Sequence, residues 1–281
     1  MNRQRVVETN RGKAVISRKM KIEAVVICVG YDDFLQATLP HNLPHVDHLT
    51  VVTSPEDKAT QSFCHRVGVP CLPTHVFFRE GGAFNKARGI NYGLANQRCD
   101  DWILHLDADI VLPPMTRKML MNAELQEDCI YGIDRVNCPS HDEWEAFLAS
   151  PELQYEWSCL VKPPRTWPLG ARIAHGDYGG YVPIGFFQLF HGSAWKRYPI
   201  VQDGDAEHTD VLHGIRWDRP KRVLLPEIIA IHLESEPAPM GVNWKGRKTR
   251  RFGPAEDRAR SAANPPVGDA SSAPQPVQYG R

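Results

Sequence analysis

The chain of 281 residues has no long hydrophobic run, no excess of either charge and no paired cysteine motif. No stretch approaches the roughly 18 apolar residues that a membrane-spanning helix needs, so we expect no membrane span. Lysine and arginine together number 33, as do aspartate and glutamate, so the net charge identifies no nucleic-acid partner. The seven scattered cysteines include no CxxC pair and no zinc-finger spacing. They predict reduced thiols in a cytoplasmic protein.

Composition divides the chain into three parts. Residues 1–21 carry seven lysines and arginines but no apolar core of a signal peptide, so we expect a flexible basic arm without a secretory signal. Residues 253–281 are rich in proline, alanine and serine and nearly free of large apolar side chains, which predicts a disordered tail. Between them, 22–252 contains no long linker and no repeat and is predicted to form one domain.

Apolar runs alternate with amphipathic stretches through the first half of this domain. Residues 22–29, 48–53 and 102–106 have the continuous apolar character of strands buried on both faces, which is typical of parallel sheets. Helices are predicted at 32–43, 56–67 and 84–96, and an extended segment is predicted at 69–78. This order predicts an α/β fold with a doubly wound, mostly parallel sheet. In such folds, functional residues gather at the carboxyl ends of the strands.

Two carboxylates close one of these strands. Asp107 and Asp109 follow the apolar run Trp-Ile-Leu-His-Leu and precede two prolines. Residues two apart in an extended chain project to the same side, about 6.6–7 Å apart at Cα. Carboxylate oxygens suit Mg²⁺ or Mn²⁺, which neutralise a diphosphate. The pair therefore predicts a metal site, whereas a solvated turn is the simpler alternative.

Two cations lie just upstream, near the start of the predicted helix at 84–96. Lys86 and Arg88 stand where free backbone N–H groups and positive charge suit phosphate oxygens. Alone, the segment would be interpreted as a solvated helix face. Its place directly before the strand that ends in Asp107 favours a phosphate-binding role.

These segments resemble the GT-A fold glycosyltransferases, specifically those of the family 2 type. The likeness spans about 22–235 and is strongest over 84–114, where N-K-A-x-G-I-N-x-G-L at 85–94 is followed by D-W-I-L-H-L-D-A-D at 101–109. The resemblance implies a nucleotide-binding first half, an acceptor-binding second half and a nucleotide diphosphate-sugar donor. It also implies a divalent ion, Mn²⁺ or Mg²⁺, held by Asp109 and shared with Asp107, which alternatively faces the donor's ribose. Lys86, Arg88 and Asn91 match the helix that borders the donor.

The second half of such enzymes supplies a catalytic base, often within a Glu-Asp pair that opens a helix. Here Asp210 matches the second acid, and Thr209 replaces the first. An inverting sugar transfer needs one carboxylate to take the proton of the attacking hydroxyl as the nucleotide diphosphate leaves. The alternative is that Asp210, Glu207 or Asp205 only stabilises the start of the helix.

A late histidine is the third candidate for the metal site. His232 ends the apolar run Ile-Ile-Ala-Ile, and enzymes of this fold often recruit such a histidine as a metal ligand. Imidazole suits Mn²⁺ better than Mg²⁺. A hydrogen-bonded core histidine is the alternative.

Two other functions fit the sequence less well. The string Asp-Ala-Asp-Ile-Val also matches haloacid-dehalogenase-like phosphatases, but in those enzymes the nucleophile follows the first strand, whereas two or three predicted strands precede Asp107. A non-catalytic module that binds a nucleotide or glycan would not need both acids. The sequence leaves the acceptor open among a glycan, a lipid, a protein and a modified nucleic-acid base.

Overall fold

The computed structural model describes residues 20–81, 84–98, 100–158, 166–174, 176–201 and 208–234. The predicted tail and nearly all of the predicted basic arm lie outside these residues. The strands within them are β1 (Ile22–Ile27), β2 (His48–Thr53), β3 (Cys71–Pro73), β4 (Trp102–Asp107), β5 (Ile110–Val111), β6 (Ile130–Cys138), β7 (Phe187–His191) and β8 (Arg222–Leu233). The helices are α1 (Asp32–Asn42), α2 (Lys58–Val67), α3 (Lys86–Ala95), α4 (Thr116–Asn122), α5 (His141–Leu148), α6 (Pro151–Ser158) and α7 (Thr209–Gly214).

The described strands form one sheet in the order β3-β2-β1-β4-β7-β6-β8-β5. The first four pair in parallel, as do β6 and β8, whereas β7 is antiparallel to both of its neighbours and β5 is antiparallel to β8. The α/β class and the mostly parallel sheet predicted from the alternation of strands and helices are therefore confirmed. The antiparallel insertion of β7 between β4 and β6 was not predicted.

Local signals explain where the helices of the first half begin. The Asp57 side chain accepts a hydrogen bond from the backbone N–H of Thr60 at 3.1 Å, which starts α2. The Asn85 side chain does the same for Arg88 at 3.0 Å, which starts α3. The extended segment predicted at 69–78 is only partly correct, because a 3-10 helix begins at Val76.

Helix α3 lies very close to the sheet. A Cβ atom built on Gly93 would stand 2.5 Å from a methyl carbon of Val25 on β1 and 2.8 Å from one of Val52 on β2. Only glycine permits this approach, which gives a packing reason for the second glycine of the motif at 85–94. The start of α3 is thereby held above the carboxyl ends of β1 and β4.

Apolar side chains fill both faces of the sheet. On one face, Ala24, Val26 and Leu104 are at most 2% exposed, and on the other Val25 and Ile103 are fully buried. Burying one side chain of this size contributes about 1.5–3 kcal/mol to folding. No helix in the described part of the chain is both long and apolar enough to cross a membrane.

A buried polar network interrupts this core where β4 pairs with β7. His105 stands opposite Gln188 in the strand register, and both are 0% exposed. The Tyr198 hydroxyl donates to Gln188 Oε1 at 2.7 Å and lies 3.3 Å from His105 Nδ1. His213 Nδ1 lies 3.2 Å from the same Gln188 oxygen. Each of these four side chains thus has at least one hydrogen-bond partner within the network, which reduces the cost of burying it.

The buried histidines predict a loss of stability in acid. Burial lowers the pKa of His45 to about 4 and that of His213 to about 3, from an ordinary value of 6.5. Below pH 6.5 the unfolded chain therefore binds protons that the folded protein excludes. We expect the free energy of unfolding to fall as the pH drops from 6.5 towards 4, by about 1.4 kcal/mol per pH unit for each histidine.

Urea unfolding at pH 7.5 and pH 5.0 measures this effect. Both ring nitrogens of His45 are buried without a hydrogen-bond partner, so His45→Leu should fold at pH 7.5 and lose up to about 2 kcal/mol less than wild type on acidification. His65→Leu, at an exposed position on α2, is the control and should behave as wild type. Equal acid sensitivity of His45→Leu and wild type would contradict the assignment.

Candidate active site

The two acids of the D-A-D motif do not continue one extended strand. Strand β4 ends at Asp107, a turn covers Ala108 and Asp109, and β5 begins at Ile110. The expected side-by-side projection from an extended chain is therefore wrong in its geometry. The turn nevertheless keeps the two carboxylates close enough that Asp109 raises the pKa of Asp107.

Lys86 pairs with the first acid. Its ammonium group lies 2.5 Å from Asp107 Oδ1, with 14% and 26% of the two side chains exposed. Burial alone would lower the pKa of Lys86, but Asp107, Asp210 and Asp109 outweigh this effect and raise it. Burial raises the pKa of Asp107 to about 6 although Lys86 opposes the shift. Lys86 is therefore a permanent cation among three acids.

The second acid faces the predicted histidine. His232 Nε2 lies 3.3 Å from Asp109 Oδ2, and His232 Nδ1 lies 2.8 Å from Glu234 Oε1. All three residues are at most 7% exposed. Burial would lower the pKa of His232, but the Asp109 and Glu234 carboxylates raise it to about 9. The strand pairing creates this contact, because Ile110 on β5 stands opposite His232 on β8.

This arrangement fits a divalent ion with two protein ligands. Asp109 offers an oxygen and His232 a nitrogen, and Glu234 orients the ring from its other nitrogen, as carboxylates commonly do for metal-bound histidines. Asp107 is engaged by Lys86 and does not join them in this arrangement. Within the described ranges, no three or more His, Cys, Asp or Glu side chains form a group that could hold a metal. Most coordination positions would then belong to a bound diphosphate and to water.

Asp210 reaches the same cluster from α7. Its Oδ2 accepts the backbone N–H of Gly185 at 2.5 Å, and its Oδ1 accepts that of Val211 at 2.9 Å. Its charge also raises the pKa values of Lys86 and Asp107. The carboxylate thus stabilises the start of α7, as the simpler alternative expects. It also lies close to Lys86 and Asp107, the two candidate donor-binding residues whose pKa values it raises. Asp205 and Glu207 lie outside the described residues.

The other two donor-site candidates on α3 differ in their surroundings. The Asn91 amide donates to the Tyr198 carbonyl at 2.9 Å, and its oxygen accepts the Tyr198 N–H at 2.8 Å. These bonds give Asn91 a structural role between α3 and the segment after β7. Arg88 is half-buried at the start of α3. Donor contacts of Asn91 and Arg88 remain predictions.

Sequence reasoning missed four residues of this region. Arg135 and Asn137 lie on one face of β6, Glu234 orients His232, and Gln188 donates to the Asp210 carbonyl at 2.9 Å. Two signals were present in the sequence: the polar residues Arg135 and Asn137 two positions apart within a mostly apolar strand, and an acid two positions after His232. Gln188 gave no signal, because its partners are distant in sequence.

Comparisons with known proteins give only distant structural likenesses. No family model and no curated protein matches the chain. It is similar to the mannosyltransferase PcManGT from Pyrobaculum calidifontis in complex with GDP-Man and Mn²⁺, with 15% identity over 77% of this chain and 57% of that chain and a TM-score of 0.45. It is also similar to glucosyl-3-phosphoglycerate synthase from Mycobacterium tuberculosis, with 13% identity over 76% of this chain and 71% of that chain and a TM-score of 0.42. The chain thus spans less than two thirds of the mannosyltransferase, and likenesses of this order carry no argument about activity.

Breaking the Lys86–Asp107 pair should destabilise the fold. Lys86→Met leaves a half-buried carboxylate without its cation, and we expect a loss of about 1–2 kcal/mol in the free energy of unfolding, measured in urea. The double variant with Asp107→Asn should recover part of this loss. Lys118→Met, at an exposed position on α4, is the control. Additive effects of the two substitutions would show that the pair contributes nothing.

Gly185 should not tolerate a side chain. A Cβ atom there would stand 2.7 Å from the Asp210 Cβ and 3.0 Å from its Oδ2. We expect Gly185→Ala to displace the Asp210 carboxylate and lower the melting temperature by several degrees. Gly176→Ala is the matched control, since its Cβ would meet nothing within 4 Å. Equal melting temperatures of the two variants would contradict the close contact.

Proposed function

We propose that the protein is a metal-dependent glycosyltransferase that moves a sugar from a nucleotide diphosphate-sugar to an acceptor hydroxyl, with inversion. The observation that carries this proposal is the gathering of Asp107, Asp109 and Asp210 around Lys86, whose ammonium group contacts Asp107 at 2.5 Å and whose pKa all three acids raise. The cluster forms at the carboxyl end of β4, where ligands bind in open α/β sheets. The catalytic domain is proposed to span 22–252.

Each side chain has a role that follows from its position. Asp109 and His232 would hold Mn²⁺ or Mg²⁺, and the ion, when bound, supplies positive charge to the leaving diphosphate. Lys86 adds a second positive charge to the same leaving group, and Asp107 fixes its ammonium group. Burial near these charges strengthens their effect on the developing negative charge.

Asp210 is the proposed base. A carboxylate oxygen has two lone pairs, so Asp210 Oδ2 can accept the Gly185 N–H and still take a proton from an acceptor hydroxyl. The Gly185 N–H fixes the direction of this carboxylate. A single base acting on the face opposite the leaving diphosphate supports inversion.

The phosphatase alternative is less well supported. Strands β1, β2 and β3 all precede Asp107, whereas the nucleophile of that class follows the first strand. The Asp107 carboxylate is also paired with the Lys86 ammonium group at 2.5 Å. This pairing suits a charge partner of a phosphate-binding lysine better than a free nucleophile. The non-catalytic alternative leaves the convergence of three acids and a lysine without a role.

Thermal unfolding with a panel of nucleotide-sugars, with and without Mn²⁺, tests the donor site. We expect one donor to raise the melting temperature only when Mn²⁺ is present, because a ligand at a hundred times its Kd adds about 2.7 kcal/mol. Asp109→Asn and His232→Gln should abolish the shift. Asp128→Asn is the control, since this exposed acid pairs with Lys221 at 3.0 Å at the opposite edge of the sheet.

Turnover tests the base. Asp210→Asn should bind the same donor with a similar Kd, while the rate of donor consumption falls by at least about a hundredfold. Activity close to wild type in this variant would exclude Asp210 as the base. No shift from any donor in the wild-type protein would overturn the glycosyltransferase proposal itself.

A further inference from the structure

Arg135 lies close to the described acidic residues of the candidate site but forms no direct ion pair with them. Its charge interacts with Asp109, Asp107, Glu234 and Asp210. Even so, within the described part of the chain the Arg135 guanidinium has no carboxylate oxygen within 4.0 Å. Burial lowers the pKa of Arg135 and the four carboxylates oppose this shift, but none of them occupies its N–H groups.

The side chain of Arg135 is also held in a fixed orientation. Its Cζ atom lies 4.4 Å from the centre of the Phe186 ring, and its Nε atom is buried without a hydrogen-bond partner. A Cβ atom on Gly170 would stand 2.6 Å from the Arg135 Cγ, so the stem is confined from the other side. A guanidinium stacked on a ring presents a rigid fork that matches the oxygens of phosphate or carboxylate.

Asn137 adds a second unused polar group on the same face of β6. It is 1% exposed, and neither its Nδ2 nor its Oδ1 has a hydrogen-bond partner. It pairs with His232 in the strand register, which places it beside the proposed metal ligand. Leaving a buried amide without partners is costly, so the site is complete only when a ligand or water supplies them.

Arg135 lies in a different part of the sheet from Lys86, the cation proposed to bind the donor's diphosphate. Ile103 on β4 and Ile130 on β6 both pair with Phe190, so Arg135 lies at about the level of the turn that follows Asp107. With β7 between them, β4 and β6 are two strand spacings apart, about 10 Å. Lys86 thus lies near the half of the sheet that contains β1 and β2, whereas Arg135 lies in the half that contains β6 and β8.

We propose that Arg135 and Asn137 form a subsite for an oxyanion, a phosphate or carboxylate group carried by the acceptor. This inference rests on the proposed function and gives the acceptor a chemical class: a hydroxyl compound with a nearby negative charge. The guanidinium fork binds the anion, and the hydroxyl then extends towards Asp210.

Sulfate serves as the probe, because it is a divalent oxyanion that does not precipitate Mn²⁺. Its binding is measured by thermal unfolding at constant ionic strength against chloride, with Mn²⁺ and saturating UDP or GDP present. We expect saturable binding in the wild type and an apparent Kd at least about tenfold weaker in Arg135→Met, which keeps the stem on Phe186. Arg135→Lys should lie between them. Arg172→Met is the matched control, because that arginine already pairs with Asp134.

A transfer assay extends the test to the acceptor. Glycerol is compared with glycerate and glycerol phosphate, which differ from it by an anionic group. We expect transfer to the anionic compounds to exceed transfer to glycerol by about tenfold or more, and Arg135→Met to remove this preference through KM rather than through kcat.

Several outcomes would overturn the inference. One is the absence of saturable sulfate binding to the wild type, and another is equal binding to wild type and Arg135→Met. If sulfate competes with UDP or GDP, and Arg135→Met weakens nucleotide binding as much as sulfate binding, the guanidinium belongs to the donor's diphosphate instead. In each case, nucleotide binding that requires Mn²⁺ and Asp109 would leave the proposed function intact, so the two failures are distinguishable.

Discussion

The site depends on one constraint, which is that the polar side chain of Gln188 must be satisfied in the middle of an apolar sheet. Its amide donates to the carbonyls of Pro183 and Asp210, and its oxygen accepts the Tyr198 hydroxyl. These partners belong to the loop before β7, to α7 and to the segment after β7. A single buried side chain therefore fixes three pieces of chain that the sheet itself does not connect. Because Tyr198 also binds Asn91 through its backbone, the middle of α3 is tied to the same centre.

The arrangement of charge follows from this scaffold. Four acids at one edge of a sheet would repel one another, and the fold places cations between them. Lys86 compensates Asp107 directly, and Arg135 acts at longer range. His232 is held between Asp109 and Glu234. The repulsion among these like charges is therefore offset by cations within the fold.

The sequence predicted those features that depend on local patterns. The buried strands predicted at 48–53 and 102–106 are found, and the helix predicted at 84–96 from apolar spacing is found over Lys86–Ala95. The antiparallel β7 was missed because strand direction depends on pairing partners, which one sequence does not reveal. Arg135 was missed for a similar reason, since an arginine in a strand has meaning only once its neighbours are known. The turn at Ala108 and Asp109 corresponds to the simpler alternative that the sequence left open, and the extended arrangement of the two acids was wrong because the apolar run before Asp107 favoured a strand.

The pairing of the two-residue strand β5 with β8 also determines when the site can form. It joins Asp109 to His232, which lie 123 positions apart in the sequence. Such a contact has a high contact order, so it closes only after the intervening chain has folded. During synthesis the Lys86–Asp107 pair can form early, whereas the Asp109–His232 contact can form only after β8 has been synthesised. The pairing of β5 with β8 thus makes the geometry of Asp109 depend on the completion of the whole sheet.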